Sequence, residues 1–181
     1  MMRSLGLALL VALAGAPVAM PVAAQGSRVR LAVAGHSAPV LVDSLASAFT
    51  IAAPRAATLD AATRALTQLG ATLDLIDPRR GMIGMTNAPR MRTFGGSRLS
   101  RWVNCGNGMM GSNADSWRVF LTVYAFVDAI DSTSTRLRVA VVAGARDVAG
   151  TSTEPVRCAS TGSLEEAAAE RVRRLLATEA P

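Results

Sequence analysis

The feature that most constrains the fold is a pair of apolar alternations separated by a short polar segment. Apolar residues recur at every second position from Val119 to Val127 and again from Leu137 to Ala143. A period of two is typical of a β-strand with one buried face. The segment 128–134 is rich in Asp, Ser and Thr, which favour a turn. The sequence therefore predicts an antiparallel hairpin whose buried face consists of Val119, Leu121, Val123, Ala125, Val127, Leu137, Val139, Val141 and Ala143.

Two helices are predicted to cover this sheet. The first runs from Leu59 to Leu69, with Thr58 as its N-cap and Gly70 as its left-handed stop. The second begins at a capping box formed by Ser163 and Glu166. Its apolar stripe consists of Leu164, Ala167, Ala168, Val172, Leu175 and Leu176.

Shorter strands complete the predicted sheet. Residues 72–76 and 82–86 flank an Asp-Pro-Arg-Arg-Gly turn and predict a second hairpin, and single strands are predicted at 47–51 and 101–105. The resulting order is β-α-β-β-β-β-β-α. It indicates an α+β domain in which a two-layer antiparallel sheet is packed by two helices. We expect one such domain over residues 47–181, preceded by a poorly defined N-terminal arm at 25–46.

Residues 1–24 have the layout of a secretory signal peptide. A basic start at Arg3 precedes a Leu- and Ala-rich apolar run, and small residues precede Gln25. We expect cleavage there and a periplasmic or secreted protein with no stable transmembrane segment. The alternative is an uncleaved anchor, because the apolar run is about long enough to cross a bilayer. Pro17 and Pro21 interrupt that run, and residues 1–30 contain no Cys for lipid attachment.

Cys105 and Cys158 are the only cysteines in the chain. Disulfides form and persist in exported proteins, so we predict that these two residues are paired. Closing a loop of this length would stabilise the fold by about 4 kcal/mol in the chain-entropy account.

The residues do not predict an enzyme. All 19 basic residues are Arg, which removes every Lys-dependent site. Gly35-His36-Ser37-Ala38 looks like a nucleophile elbow, but His36 is the only His and cannot act as base for its neighbour. Residues 106–111 match the dinucleotide fingerprint, yet no helix follows them. One His and two distant cysteines give no metal-ligand spacing, so we expect no metal and no cofactor. A hydrolase without a recognisable motif is the open alternative.

A basic stretch is the strongest candidate for a binding surface. Between Pro78 and Ala114 the chain has no Asp or Glu and six arginines, Arg79, Arg80, Arg90, Arg92, Arg98 and Arg101. Methionines lie in the same Gly-rich stretch. Arginine suits phosphate or carboxylate groups, and Met offers an adaptable apolar surface. One interpretation is a solvated loop; the other is a contact with anionic lipid, an envelope polymer or an acidic partner protein. Nucleic acid is disfavoured, because the compartment expected for an exported protein is the wrong one.

Residues 62–84 consist of a predicted helix ending at Leu69-Gly70, a strand, an Asp77-Pro78 turn and a return strand. With the later hairpin and final helix, this pattern resembles the BamC-like helix-grip domains of outer-membrane assembly lipoproteins. The resemblance implies an accessory role in the cell envelope through protein contacts and not catalysis. The chain departs from that family in lacking a Cys for lipid attachment near its start.

The expected function is therefore that of a non-enzymatic exported envelope protein. It would bind a protein or an anionic envelope component through the basic Gly- and Met-rich region. The alternative is a helix-grip domain that binds a small apolar ligand. That ligand would lie between the sheet and the final helix, under Val172, Leu175 and Leu176.

Overall fold

The computed structural model describes residues 28–109, 111–150 and 152–179, so the predicted signal peptide lies outside the described residues. The first half contains β1 (Arg30–Leu31), β2 (Val40–Leu41), β3 (Ser47–Ile51), α1 (Arg55–Gln68), β4 (Leu75–Asp77), β5 (Met82–Met91), β6 (Thr93–Phe94) and β7 (Ser97–Arg98). The second half contains β8 (Val103–Asn104), β9 (Asn107–Gly108), β10 (Gly111–Ser112), α2 (Asn113–Ser116), β11 (Arg118–Ala129), β12 (Thr135–Arg146), β13 (Val156–Ser160) and α3 (Ser163–Glu179). Two 3-10 turns occur at Val42–Leu45 and Leu99–Arg101.

The main sheet is antiparallel and has seven strands. Its order is β4-β5-β11-β12-β13-β8, and β3 pairs with the remaining part of the β12 edge. The α1 and α3 helices pack against each other and over one face, which confirms the predicted α+β, two-layer architecture. The β6–β7, β9–β10 and β1–β2 pairs form three small separate ribbons.

The central hairpin has the predicted buried face. Val119 pairs with Ala145, Leu121 with Ala143 and Val127 with Leu137. These residues are buried under the helices. The turn is held by Asp131, which accepts hydrogen bonds from the backbone N–H and the hydroxyl of Thr133. These bonds hold the pKa of the Asp131 carboxyl below its usual value.

The first helix begins earlier than predicted. Its N-cap is Pro54, and Thr58 is buried inside the helix instead of capping it. The Arg55 guanidinium supports the additional turn, because it donates hydrogen bonds to the carbonyls of Val127, Pro78 and Arg79. The predicted end at Gly70 is confirmed by its φ of 89°.

One strand and one cap were not predicted. Residues 156–160 form β13, which places Cys158 within the sheet and not at the entrance to α3. The start of α3 is organised by Ser160, whose hydroxyl donates to Glu165, and by Thr161, whose hydroxyl accepts from the Ser163 N–H. The predicted capping box is therefore replaced by side chains that precede the helix.

Residues 28–46 pack on the other face of the sheet. Val33 and Val42 are buried there against Met82, Tyr124, Phe126, Ala140 and Val142. The Asn87 side-chain amide donates to the Ala32 carbonyl at 2.7 Å. Farther along, the backbone of Ala34 lies directly on Gly144, where a Cβ would overlap its carbonyl oxygen. The arm thus crosses the sheet from β5 to β12.

Candidate functional site: the basic end of the sheet

The six predicted arginines do not form one surface. Arg79 and Arg80 lie in the turn between β4 and β5, whereas Arg90 lies near the opposite end of β5. At about 3.3 Å per residue, the length of β5 separates these groups by roughly 30 Å. The remaining predicted arginines follow β5, on β7 and on the 3-10 turns and connections near it.

Three of the six arginines are held by neighbouring groups. Arg80 forms a loose ion pair with Asp77, with 3.8 Å between their charged atoms. The Arg90 guanidinium lies over the Phe94 ring, 5.6 Å from its centroid. That of Arg101 lies over Trp102, at 4.8 Å, and also donates to Ser97. These contacts give the three side chains structural roles.

Strand pairing adds two arginines that the prediction did not include. Arg118 is the first residue of β11 and Arg146 the last of β12, and the two are directly paired. On its other side Arg118 is paired with Met91 of β5. Arg118 and Arg146 are exposed and lie on the face opposite the helices, because their neighbours Val119 and Ala145 point into the core.

Arg92 and Arg98 lie at the same end of the sheet as Arg118 and Arg146. Arg92 follows Met91 and has a positive φ of 65°. Its carbonyl accepts from the Leu99 N–H, and Arg98 is paired with Thr93, so the two arginines are close. We call Met91, Arg92, Arg98, Arg118 and Arg146 the basic end of the sheet.

The positive charges of the basic end are not balanced by acidic side chains among the described residues. Within the described ranges, none of its four arginines forms an ion pair with an acidic side chain. The nearest carboxylates along the chain accept hydrogen bonds from nearby N–H and hydroxyl groups. Asp115 accepts from the Ser100 N–H and hydroxyl, and Asp147 accepts from the N–H groups of Ala149 and Ser152. The basic end therefore has uncompensated positive charge.

Three exposed apolar side chains occur at the same end of the sheet. Met91 is 42% exposed, Val148 is 50% exposed and Met109 is fully exposed. Met109 follows β9, and Val148 lies on the loop after β12. Met109 and Ala149 line the same cavity, so both loops extend from this end of the sheet. In contrast, Met82 and Met85 are buried on the two faces of the sheet.

The disulfide lies at the base of the loop that carries Met109. Cys105 and Cys158 are bonded, which confirms the predicted pair. The β9–β10 ribbon begins immediately after Cys105, and the Asn113 side-chain amide donates back to the Cys105 carbonyl. The bond therefore fixes the root of this loop to β13.

The two motifs with catalytic resemblance have other structural roles. Residues 107–108 and 111–112 form the β9–β10 ribbon, and the helix after it has only four residues. Ring nitrogen Nε2 of His36 lies 3.3 Å from the Ala143 carbonyl oxygen, where the arm meets the sheet. Within the described residues, no three His, Cys, Asp or Glu side chains form a group that could hold a metal ion.

Core side chains fill the space under α3 where an apolar ligand was expected. Val172 is buried in the core, and Leu175 and Leu176 pack against it. The depression beside Leu175 is open to solvent and is lined by Gln68, Arg171, Arg174, Leu175 and Thr178. These residues are mostly polar, unlike the walls that an apolar ligand needs.

Comparisons with known proteins give this site no precedent. No protein-family model matches the chain, and no match was found among curated proteins or solved structures. Throughout the ranges 28–109, 111–150 and 152–179, no helix combines the length and apolar character needed to span a bilayer.

Proposed function

We propose that this chain is a non-enzymatic exported protein that binds the surface of an anionic membrane through the basic end of the sheet. The pairing of Arg118 with Arg146 carries this proposal. Like charges directly opposite one another destabilise a sheet. A phosphate-rich surface offsets that repulsion, since guanidinium groups bind phosphate with strong, charge-assisted hydrogen bonds.

The apolar residues favour a bilayer over a soluble polyanion. Met91, Met109 and Val148 are exposed at the same end of the sheet as the arginines. A bilayer interface offers phosphates to the arginines and acyl chains to these side chains, whereas an acidic protein or polymer satisfies only the charges. An acidic partner protein is the competing occupant, and the experiment below separates the two.

Two features support a location in the cell envelope. The pattern of residues 1–24 is that of an export signal, and the Cys105–Cys158 bond suits an oxidising compartment. The resemblance to BamC-like helix-grip domains agrees with an envelope role, although it does not identify the binding surface.

Cosedimentation with lipid vesicles tests the proposal. We expect the protein to bind vesicles containing phosphatidylglycerol and not vesicles of phosphatidylcholine alone, with affinity falling as salt rises. Each Arg near an anionic surface contributes about 1 kcal/mol, so Arg118→Ser with Arg146→Ser should weaken binding roughly 30-fold at low salt. Arg79→Ser with Arg80→Ser makes the same change in charge at the opposite end and should leave binding within about twofold.

Two results would contradict this function. Equal losses from both double variants would mean that net charge, and not the basic end, drives binding. Binding to soluble polyglutamate as tight as binding to vesicles, unaffected by changes at Met91 and Met109, would replace the membrane with an acidic protein partner.

A further inference from the structure

Strand β3 forms an open edge of the main sheet. On one side it pairs with β12, from Ser47 opposite Val139 to Ile51 opposite Thr135. Among the described residues no strand lies on its other side, and its backbone forms no hydrogen bond outside the β12 ladder. Alternate peptide groups of an edge strand point away from its neighbour, so β3 presents N–H and C=O groups that another strand can bind.

This edge lacks the features that normally prevent pairing with another chain. Natural edge strands are protected by charged side chains, by Pro, by a bulge or by a covering element. The sequence Ser-Ala-Phe-Thr-Ile has no charge and no Pro, and its register with β12 is continuous. Four of its five residues are at least partly exposed, and Leu45 just before it is 54% exposed. The strand is therefore suited to accept a further strand.

A groove runs along this edge between β3 and α3. It is lined by Phe49, the middle residue of β3, and by Arg101, Glu166, Glu170 and Arg173. The Arg173 guanidinium lies 5.9 Å from the centroid of the Phe49 ring and 3.8 Å from the Glu170 carboxylate. The middle of β3 thus lies beside the part of α3 where exposed acidic residues are followed by exposed basic ones.

We infer that β3 pairs with the β3 strand of a second copy of this chain, in antiparallel orientation about a two-fold axis near Phe49. Two identical edges related by a two-fold axis form a closed dimer. Neighbouring strands lie about 4.8 Å apart, so the two α3 helices run side by side in opposite directions. Glu170 of each copy then faces Arg173 of the other copy. This charge complementarity favours a second copy over an unrelated strand.

The inference does not depend on the proposed function. Strand β3 pairs with the first residues of β12, whereas Arg146 of the basic end is the last residue of β12. The dimer joins the two main sheets into one and leaves both basic ends uncovered. A failure of dimerisation therefore leaves membrane binding untouched, and the reverse also holds.

Sedimentation equilibrium of the purified chain tests this inference. We expect a monomer at low micromolar concentration, a dimer as the concentration approaches millimolar, and no larger species. Hydrogen exchange of the backbone N–H groups of residues 47–51 should slow over the same range of concentration. This second measurement places the interface on β3, because the outward N–H groups become hydrogen-bonded only in the dimer.

A carboxylate on the exposed face of β3 should prevent pairing. Within one chain, Thr50→Glu lies opposite Arg136 of β12, an opposite-charge pairing that suits the folded monomer. Across the two-fold axis the two introduced carboxylates repel, so the dimer should weaken several-fold. Thr93→Glu is the matched control, because it is exposed and lies opposite Arg98 on the β6–β7 ribbon. It should leave association unchanged.

A second substitution strengthens this test. Ala48→Glu lies opposite Arg138 within the chain and directly opposite position 50 of the other copy. Combined with Thr50→Glu, it should abolish the dimer. Alone, it should reproduce the several-fold loss if Thr50→Glu lowers the thermal midpoint of unfolding.

Exchanging charges on α3 tests the antiparallel arrangement. Glu170→Arg places like charges together across the interface and should weaken the dimer several-fold. Glu170→Arg with Arg173→Glu restores opposite charges both within each copy and between copies, so association should recover. Failure of this recovery would contradict the antiparallel pairing of the helices.

Three further results would overturn the inference. The first is a chain that stays monomeric at every concentration. The second is a dimer that both Thr50→Glu and Ala48→Glu leave unchanged, because it would use another surface. The third is association that continues beyond the dimer, which contradicts closure about a two-fold axis.

Discussion

Arg118 and Arg146 face each other in register at the end of the two longest strands, with no acidic partner among the described residues. Near the other end of the same hairpin, Arg138 on β12 forms an ion pair with Asp128 on β11, with 3.0 Å between the charged atoms. The same hairpin therefore pairs opposite charges at one end and like charges at the other. The first arrangement stabilises the sheet, whereas the second leaves charge for a ligand.

The arginine pair should cost stability. Arg146→Thr removes the repulsion and should raise the free energy of unfolding by a few tenths to about 1 kcal/mol at low salt, measured by urea denaturation. Arg138→Thr is the contrasting change on the same strand, and it should lower stability because it removes the ion pair with Asp128. A loss of stability in both variants would show that the Arg118–Arg146 pair is compensated.

Gly144 should be required for docking of the N-terminal arm. A Cβ at this position overlaps the Ala34 carbonyl, so Gly144→Ala should destabilise the fold by about 1–3 kcal/mol and increase proteolysis within residues 28–46. Gly96→Ala introduces a Cβ at a positive φ into open space and should cost less. An equal urea midpoint for the two variants would argue against tight docking of the arm.

The disulfide should contribute much of the net stability. Its cysteines are separated by 53 positions, for which loop closure predicts a contribution of about 4 kcal/mol. Cys105→Ser with Cys158→Ser should lower the free energy of unfolding by this order, measured in urea. Reducing agent should shift the midpoint of the unmodified chain and leave that of the double variant unchanged. A double variant as stable as the oxidised chain would contradict this estimate.

The exposed methionines should contribute to membrane affinity. Met91→Ser with Met109→Ser should weaken binding to anionic vesicles several-fold, because each change removes an apolar contact with the acyl region. Ile130→Ser removes an exposed apolar residue near the opposite end of the hairpin and serves as control. Oxidation of the methionines to sulfoxides should act in the same direction. Unchanged affinity in the methionine double variant would leave only the charges to explain binding.

Local sequence pattern was sufficient for the central hairpin and for the presence of the two long helices. The buried face of the central hairpin, from Val119 to Val127 and from Leu137 to Ala143, follows from the alternation of apolar residues. The start of α1 could not be predicted from local pattern, because Arg55 donates hydrogen bonds to carbonyls of residues distant in the sequence. Strand β13 was missed since it is short and gains its neighbours only through β12 and β8.

The candidate site was only partly predictable for the same reason. A count of arginines along 78–114 grouped Arg79 with Arg92, which the length of β5 separates. Arg118 and Arg146 lie outside that stretch, and only strand pairing brings them beside Met91. The pairing of Arg118 with Arg146 could nevertheless have been found in the sequence. Extending the two predicted strands of the central hairpin to their open end places these two arginines opposite one another.

The most direct test of the account asks which end of the molecule contacts the bilayer. An environment-sensitive NBD dye is attached at Met109→Cys, beside the basic end, or at Ile76→Cys on β4, which is 56% exposed and lies near the other end of the sheet. With phosphatidylglycerol vesicles, emission from position 109 should shift to shorter wavelength and gain intensity, while emission from position 76 stays unchanged. A shift at position 76 alone, or equal shifts at both positions, would contradict binding through the basic end.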